Sequence, residues 1–144
     1  MINAISHSRV FVPDQEAALD FYVGKLGMEV SADVDMEVMR WLTVNVPGAP
    51  DRHILLEKPG GPYMDEETSA TITELIGKGM LGMTILTTTD CRADYEALKG
   101  KGVEFTEEPT ERFYGIDCGF RDPFGNQFRM TQLAPEPIEF PGQA

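Results

Sequence analysis

The sequence predicts an α+β fold assembled from two copies of one strand–helix–strand unit. Three observations predict it. Residues 5–30 (ISHSRVFVPDQEAALDFYVGKLGMEV) and 81–105 (LGMTILTTTDCRADYEALKGKGVEF) run in parallel. Each places an Asp (Asp14, Asp90) where an amphipathic helix begins, which is a favoured N-cap residue. Each then leaves through a Gly (Gly27, Gly102) into another strand. A repeat of this length signals one fold made twice. When the two stretches are laid together, His7 falls on Met83.

Residues 4–12 alternate and are rich in Val, Ile and Phe, so they read as a strand. Pro13-Asp14 closes it. In the helix 14–25, Ala18, Leu19, Tyr22 and Leu26 recur at helical spacing and form an apolar face. Gly27 stops that helix, and Met28–Ala32 begins the next strand. Val38–Val46 (VMRWLTVNV) is a strand ended by Pro47-Gly48, and His53–Glu57 is another. Met39, Trp41 and Thr43 share one face of VMRWLTVNV, with Arg40 and Leu42 on the other. Pro59, Gly60, Gly61 and Pro62 make a turn-rich lead-in to a short helix, Asp65–Gly77, with Ile72, Leu75 and Ile76 on one side. The second half repeats the pattern. Met83–Thr88 is a strand and Asp90–Lys99 a helix with Tyr95 and Leu98 inward. Val103–Thr106, Ile116–Phe120 and Gln127–Leu133 are strands, the last two joined by the tight turn Asp122-Pro123-Phe124-Gly125-Asn126.

A chain of 144 residues fits one domain, 1–144. Its repeats cover about 4–57 and 81–133. Between them lies 58–80, a linker long enough to serve as a lid or as a packed spacer. The three prolines after Ala134 make 134–144 an irregular tail. Apolar residues at 42% and charged residues at 25% match an ordinary globular protein, with no stretch long enough to span a membrane. MINAISHSRVFV lacks the basic and apolar regions of a signal peptide. Cys91 and Cys118 are too few and too far apart for a disulfide framework or a metal motif. Two free thiols in a reducing cytoplasm are the expectation. The net charge of −12 argues against a nucleic-acid partner, which needs clustered Lys and Arg. It is compatible with attraction of a cationic ligand.

The opening strand with His7, the helix Leu19-Asp20-Phe21-Tyr22 running to Leu26-Gly27, and Asp122-Pro123-Phe124-Gly125-Asn126 before the last strand carry a resemblance. Over about residues 4–133 the chain resembles the vicinal oxygen chelate superfamily of glyoxalase I, bleomycin-resistance proteins and extradiol dioxygenases. The resemblance implies two βαβββ modules whose mixed sheets curl into a cup, and a homodimer. It also implies four metal-ligand positions. Carried across, these are His7, a position in HILLE at Leu55 or, in a shifted register, Glu57, then Met83, and Arg129. A thioether and a permanent guanidinium are poor company for a hard dication. No metal or other cofactor is therefore expected, and the family's Lewis-acid chemistry is in doubt.

The sequence leaves three readings of the site open. His7, Arg9, Trp41, Leu55, Glu57, Met83, Tyr114 and Arg129 are the candidate ligand-binding residues of a metal-independent binder of a small organic molecule. Such a protein would sequester a drug as bleomycin-resistance proteins do. The alternative is a glyoxalase-like lyase or isomerase acting on a small carbonyl compound, with His7 and Glu57 as acid–base groups. A relocated metal site of His7, His53 and Glu57 is a minor variant of that alternative. Arg9 and Arg129 together would suit an anionic ligand or a buried carboxylate such as Glu57 or Asp117. A protein–protein adaptor is the third reading, and would present a flat apolar surface.

Overall fold

Three aspartates start three helices. The Asp14 carboxylate accepts from the Ala17 amide at 3.0 Å and opens α1 (Gln15–Tyr22). Asp65 accepts from Thr68 at 2.7 Å and opens α2 (Glu66–Gly77). Asp90 accepts from Ala93 at 3.0 Å and opens α3 (Cys91–Gly100). Each satisfies an amide that the first turn would leave without a partner. Beyond α1 and α3 the chain turns at Gly27 (φ 76°) and Gly102 (φ 88°), left-handed positions that disfavour a side chain.

The computed structural model describes residues 1–136 and 139–142. It divides into two compact units, Met1–Leu81 and the residues from Gly82 onward. The first holds β1 (His7–Phe11), β2 (Glu29–Asp35), β3 (Arg40–Asn45) and β4 (His53–Glu57) in the order β1-β4-β3-β2. The second holds β5 (Met83–Thr87), β6 (Glu104–Arg112), β7 (Gly115–Arg121) and β8 (Gln127–Leu133) in the order β5-β8-β7-β6. In each sheet the first strand lies parallel to the last, and the remaining pairs are antiparallel. The fold is therefore α+β, with two mixed four-stranded sheets made by one βαβββ pattern.

Each sheet buries one face beneath a helix. In the first unit Ala18, Phe21 and Tyr22 of α1 are buried, as are Leu42, Val44 and Leu56 of the sheet. Gln15 ties the helix down by donating to the carbonyls of Arg40 and Leu56. In the second unit Cys91 and Tyr95 of α3 are buried with Cys118, Phe120, Phe128 and Met130. The Tyr95 and Phe105 rings meet edge-on at 4.6 Å, and Phe120 stacks on Phe128 at 5.3 Å. Each such side chain contributes roughly 1.5–3 kcal/mol of burial.

The structure departs from the sequence reading in places. Phe21, not Leu19, is fully covered in α1. Strand β6 does not end at Thr106 but continues to Arg112, through Pro109. As an outer strand it tolerates Pro109, and register shifts between Phe105 and Thr110 absorb the irregularity. Strand β2 likewise runs to Asp35. Within α2 only Ile76 is fully buried. Of the tail, 134–136 and 139–142 form no helix or strand, and residues 137, 138, 143 and 144 lie outside the described residues. Among the described residues no helix is long and apolar enough to cross a membrane.

Candidate functional site

The faces turned away from α1 and α3 are where ligand chemistry has room. On the first sheet, alternation and register bring His7, Arg9, His53, Leu55, Glu57, Trp41 and Thr43 to this open face. His7 lies opposite His53, Arg9 opposite Leu55, and Leu55 opposite Thr43. The two imidazoles stack at 4.6 Å and 24°. His7 also leans against Trp41, with ring centroids 5.8 Å apart. The imidazoles are held by hydroxyls: His7 Nδ1 is 2.9 Å from Ser6 Oγ, and His53 Nδ1 is 2.9 Å from Ser31 Oγ. Ser31 in turn bonds Thr43 Oγ1 at 2.7 Å. A cleft of 560 Å³ opens beside this cluster, lined by Ser6, His7, Ser8, Asp51, Arg52 and His53. Arg9 pairs with Glu57 at 3.5 Å and covers the Phe11 ring at 4.1 Å.

The open face of the second sheet is ionic. Arg129 grips Asp117 with two hydrogen bonds, Nε to Oδ1 at 3.2 Å and Nη2 to Oδ2 at 2.9 Å. Its Nη1 donates to Glu107 at 3.3 Å. Glu107 also receives Arg112, and the Tyr114 hydroxyl donates to Asp117 at 2.5 Å. Burial pushes the Asp117 carboxyl up, but the bonds from Arg129 and Tyr114 outweigh it and hold it below its ordinary value. Hydrogen bonds from Arg129 and Arg112 lower Glu107. The bond to Asp117, then burial, raises the Tyr114 phenol, so Tyr114 stays protonated near neutrality. Gly119 makes the network fit. A Cβ there would stand 2.7 Å from Arg129 Nη1 and 2.8 Å from Thr106 Oγ1.

The register fixes which residues of the two sheets correspond, and so where the four positions implied by the resemblance fall. Arg129 lies opposite Gly119 on one side and Ile85 on the other. Leu55 lies opposite Thr43 and Arg9 in the same way. Leu55, not Glu57, is therefore the counterpart of Arg129, just as His7 is the counterpart of Met83. Of the four positions only His7 carries a donor suited to a divalent ion; the others are a leucine, a thioether and an arginine already engaged by two carboxylates. The variant of His7, His53 and Glu57 fares no better. The stacked rings do not converge on one point, and Glu57 is paired with Arg9. Among the described residues no group of three or more His, Cys, Asp or Glu is arranged to hold a metal ion. These residues do not fit the metal.

A model of the Glyoxalase/Bleomycin resistance protein/Dioxygenase superfamily matches residues 4–130. The chain belongs to this superfamily. Among solved structures, UcmS2 is 41% identical, with 91% of this chain and 98% of that one covered and a TM-score of 0.87. TnmS3, an antibiotic binding protein from Streptomyces sp. CB03234, is 32% identical over 92% of this chain and 98% of its own, with a TM-score of 0.73. The uncharacterized protein YurT of Bacillus subtilis (strain 168) is 36% identical over 85% of this chain and 94% of its own length.

The structure gathers His7, Arg9, Trp41, Leu55 and Glu57 on one face, with Leu55 almost fully covered. It places Met83, exposed, at the start of β5, and Arg129 and Tyr114 in the ion network of the second unit. The sequence offered Asp117 only as one of two carboxylates suited to the arginines, and Glu107 not at all. Asp117 is legible in the alternation of IDCGFR, which puts it on the face of Gly119. Glu107 lies just beyond Thr106, where the sequence reading ends the strand, in an acid-rich stretch containing Pro109. Cys91 and Cys118 are free and fully buried, with sulfurs 3.7 Å apart. Burial pushes the Cys118 thiol up to about 12 and raises Cys91 as well, so both are unreactive.

Proposed function

We propose that this member of the superfamily binds a planar, largely apolar small molecule without transforming it, and does so without a metal. The observation that carries the reading is the open Trp41–His7–His53 aromatic cluster beside its cleft. Aromatic faces with free edges favour stacking with another ring, and the cleft beside them adds polar contacts from Ser6, Ser8, Asp51 and Arg52. The antibiotic-binding relative TnmS3 supports sequestration of a drug-like compound as the physiological role. In this reading Trp41 and His7 supply stacking surface, and Arg9 and Glu57 the polar rim. Leu55 backs the rings. The working form is a cytoplasmic homodimer with no nucleic-acid partner.

Titrating a panel of planar polycyclic antibiotics while following the emission of Trp41, the only Trp in the chain, tests this. Quenching or a shift by at least one compound, recovered unchanged afterwards, is expected. Elemental analysis after dialysis against Zn²⁺, Ni²⁺, Mn²⁺ or Fe²⁺ checks the metal. One tightly held ion per chain, lost on His7→Ala, would instead promote the lyase reading. Sedimentation equilibrium checks the dimer, and a clean 16.0 kDa species at micromolar concentration would rule it out.

A further inference from the structure

The arginines of the first unit are Arg9, Arg40 and Arg52, and they differ in how they are held. Arg40 grips Asp33 with two hydrogen bonds of 2.8 Å and also reaches Glu16. Arg9 pairs with Glu57 and covers the Phe11 ring. Arg52 has neither a carboxylate nor a ring against its guanidinium among the described residues. It is exposed and lines the cleft beside His7 and His53. Asp51 precedes it in the chain, lines the same cleft and is also exposed. The Asp51 carboxylate is likewise unpaired among the described residues, so these two opposite charges do not bridge one another.

Backbone bonds set the pair in place. The Ala49 amide donates to Val46 at 2.9 Å and the Arg52 amide to Ala49 at 3.4 Å, which turns the chain into β4. The His53 amide then donates to the Ser6 carbonyl at 2.8 Å and ties the end of the turn beside His7. The two charges and the two imidazoles therefore share one cleft of 560 Å³. A ligand with a single charge gains at one of Asp51 and Arg52 and is repelled by the other. A ligand with both gains at both. The net charge of −12 further disfavours a purely anionic ligand.

We infer that Asp51 and Arg52 read a two-signed polar end of the ligand: an oxygen acceptor, such as a carboxylate, for the Arg52 fork, and beside it an amino group for Asp51. The rings of the ligand then lie toward His7 and His53. This inference rests on the small-molecule reading above and specifies the polar groups of its ligand.

The test uses the full chain and three probes with the same rings in isothermal titration calorimetry. These are 2-naphthylalanine, which has both groups, 2-naphthylpropionate, which has the carboxylate alone, and 2-naphthylethylamine, which has the amine alone. The unmodified protein is expected to bind 2-naphthylalanine at least about threefold more tightly than either relative, the scale of an exposed ion pair. Arg52→Gln should abolish its advantage over 2-naphthylethylamine, and Asp51→Asn its advantage over 2-naphthylpropionate. Each variant should leave the other advantage standing. Arg52→Lys, which keeps the charge but not the fork, should fall between. Both residues are exposed in a turn, so melting temperatures should match that of the unmodified chain. Trp41→Ala separates this inference from the reading beneath it, since loss of stacking should weaken all three probes alike. Equal affinity for the three probes, lowered by Trp41→Ala, overturns the two-signed end and keeps the stacking reading. An advantage lost at Asp51 and Arg52 with no effect at Trp41 keeps the end and sinks the stacking. An advantage that survives both substitutions overturns the inference, and no binding of any probe up to millimolar concentration sinks both.

Discussion

The two units share one topology and carry opposite chemistry on their open faces. Laid together by strand register, Trp41 coincides with Asp117 and Leu55 with Arg129. The first sheet thus has an indole and a leucine where the second has a buried ion pair. The neighbouring positions reverse the pattern. Arg9 and Glu57 form an exposed ion pair where the second sheet has Ile85 and Thr131. The hidden faces kept one apolar pattern in both units, because a helix must cover them. The open faces had no such constraint and diverged in charge, size and burial. Residues facing a helix are dictated by packing; those facing away are free to record what the protein binds.

The contrast can be broken experimentally, and the buried ion pair should break hardest. Asp117→Asn leaves a partly buried guanidinium facing one half-buried carboxylate, and should cost about 3 kcal/mol of stability. Its pH signature has a definite sign. Asp117 titrates below its ordinary value of 3.8 in the folded protein, so its contribution is complete above that value. It is lost as pH falls through the lowered folded value. Denaturant melts at pH 6 and pH 3 should show a smaller drop in Asp117→Asn than in the unmodified chain. An equal drop would mean that the pair contributes nothing.

Gly119→Ala comes next. Its methyl group would press on the pinned Arg129 guanidinium, so about 1–2 kcal/mol should be lost. The same substitution made in Asp117→Asn should cost less, because Arg129 is then free to move aside. A double-mutant cycle reads that coupling, and strict additivity would show that the contact is with Thr106 alone.

Trp41→Ala, at the corresponding place in the first unit, should lower stability by only about 1 kcal/mol. Trp41 is partly exposed, and its ring partner is an imidazole tilted against it rather than a dense core. Ligand affinity should fall instead, by about 1–3 kcal/mol. A stability loss of about 3–5 kcal/mol with affinity unchanged would make Trp41 plain core. The smallest effect belongs to Arg9→Ala. The Arg9 side chain is 53% exposed, so its ion pair with Glu57 should be worth under about 0.5 kcal/mol in thermal melts.

Most of the architecture was legible because period-2 and helical patterns, Asp caps and Gly exits each have a local cause. His53–Glu57 and Gln127–Leu133 match the observed strands end to end. The misreadings have causes too. Outer strands β2 and β6 carry acids that look like loops, and nothing local says that a neighbouring strand will accept Pro109. The site was half legible. The faces of His7, Trp41 and Arg129 follow from alternation, but the partner of Arg129 depends on which strands become neighbours. Whether the second ligand position falls on Leu55 or Glu57 likewise needed the β3–β4 register.

The turn at Asp122 has a consequence for how the chain reaches this structure. One carboxylate oxygen accepts from the amides of Phe124, Gly125 and Asn126 at 3.0, 2.9 and 2.8 Å. The reversal is therefore held by a side chain within the turn itself and waits for no distant segment. It joins two strands paired over seven residues, whereas the corresponding β3–β4 pair is matched at two and joined through the longer stretch Val46–Arg52. Short-range pairing closes in microseconds, while parallel contacts such as β5–β8 must await loop closure. Nucleation is expected in the β7–β8 hairpin. Asp122→Ala should then slow refolding more than it speeds unfolding, and amides of β7 should exchange with solvent later than those of β3.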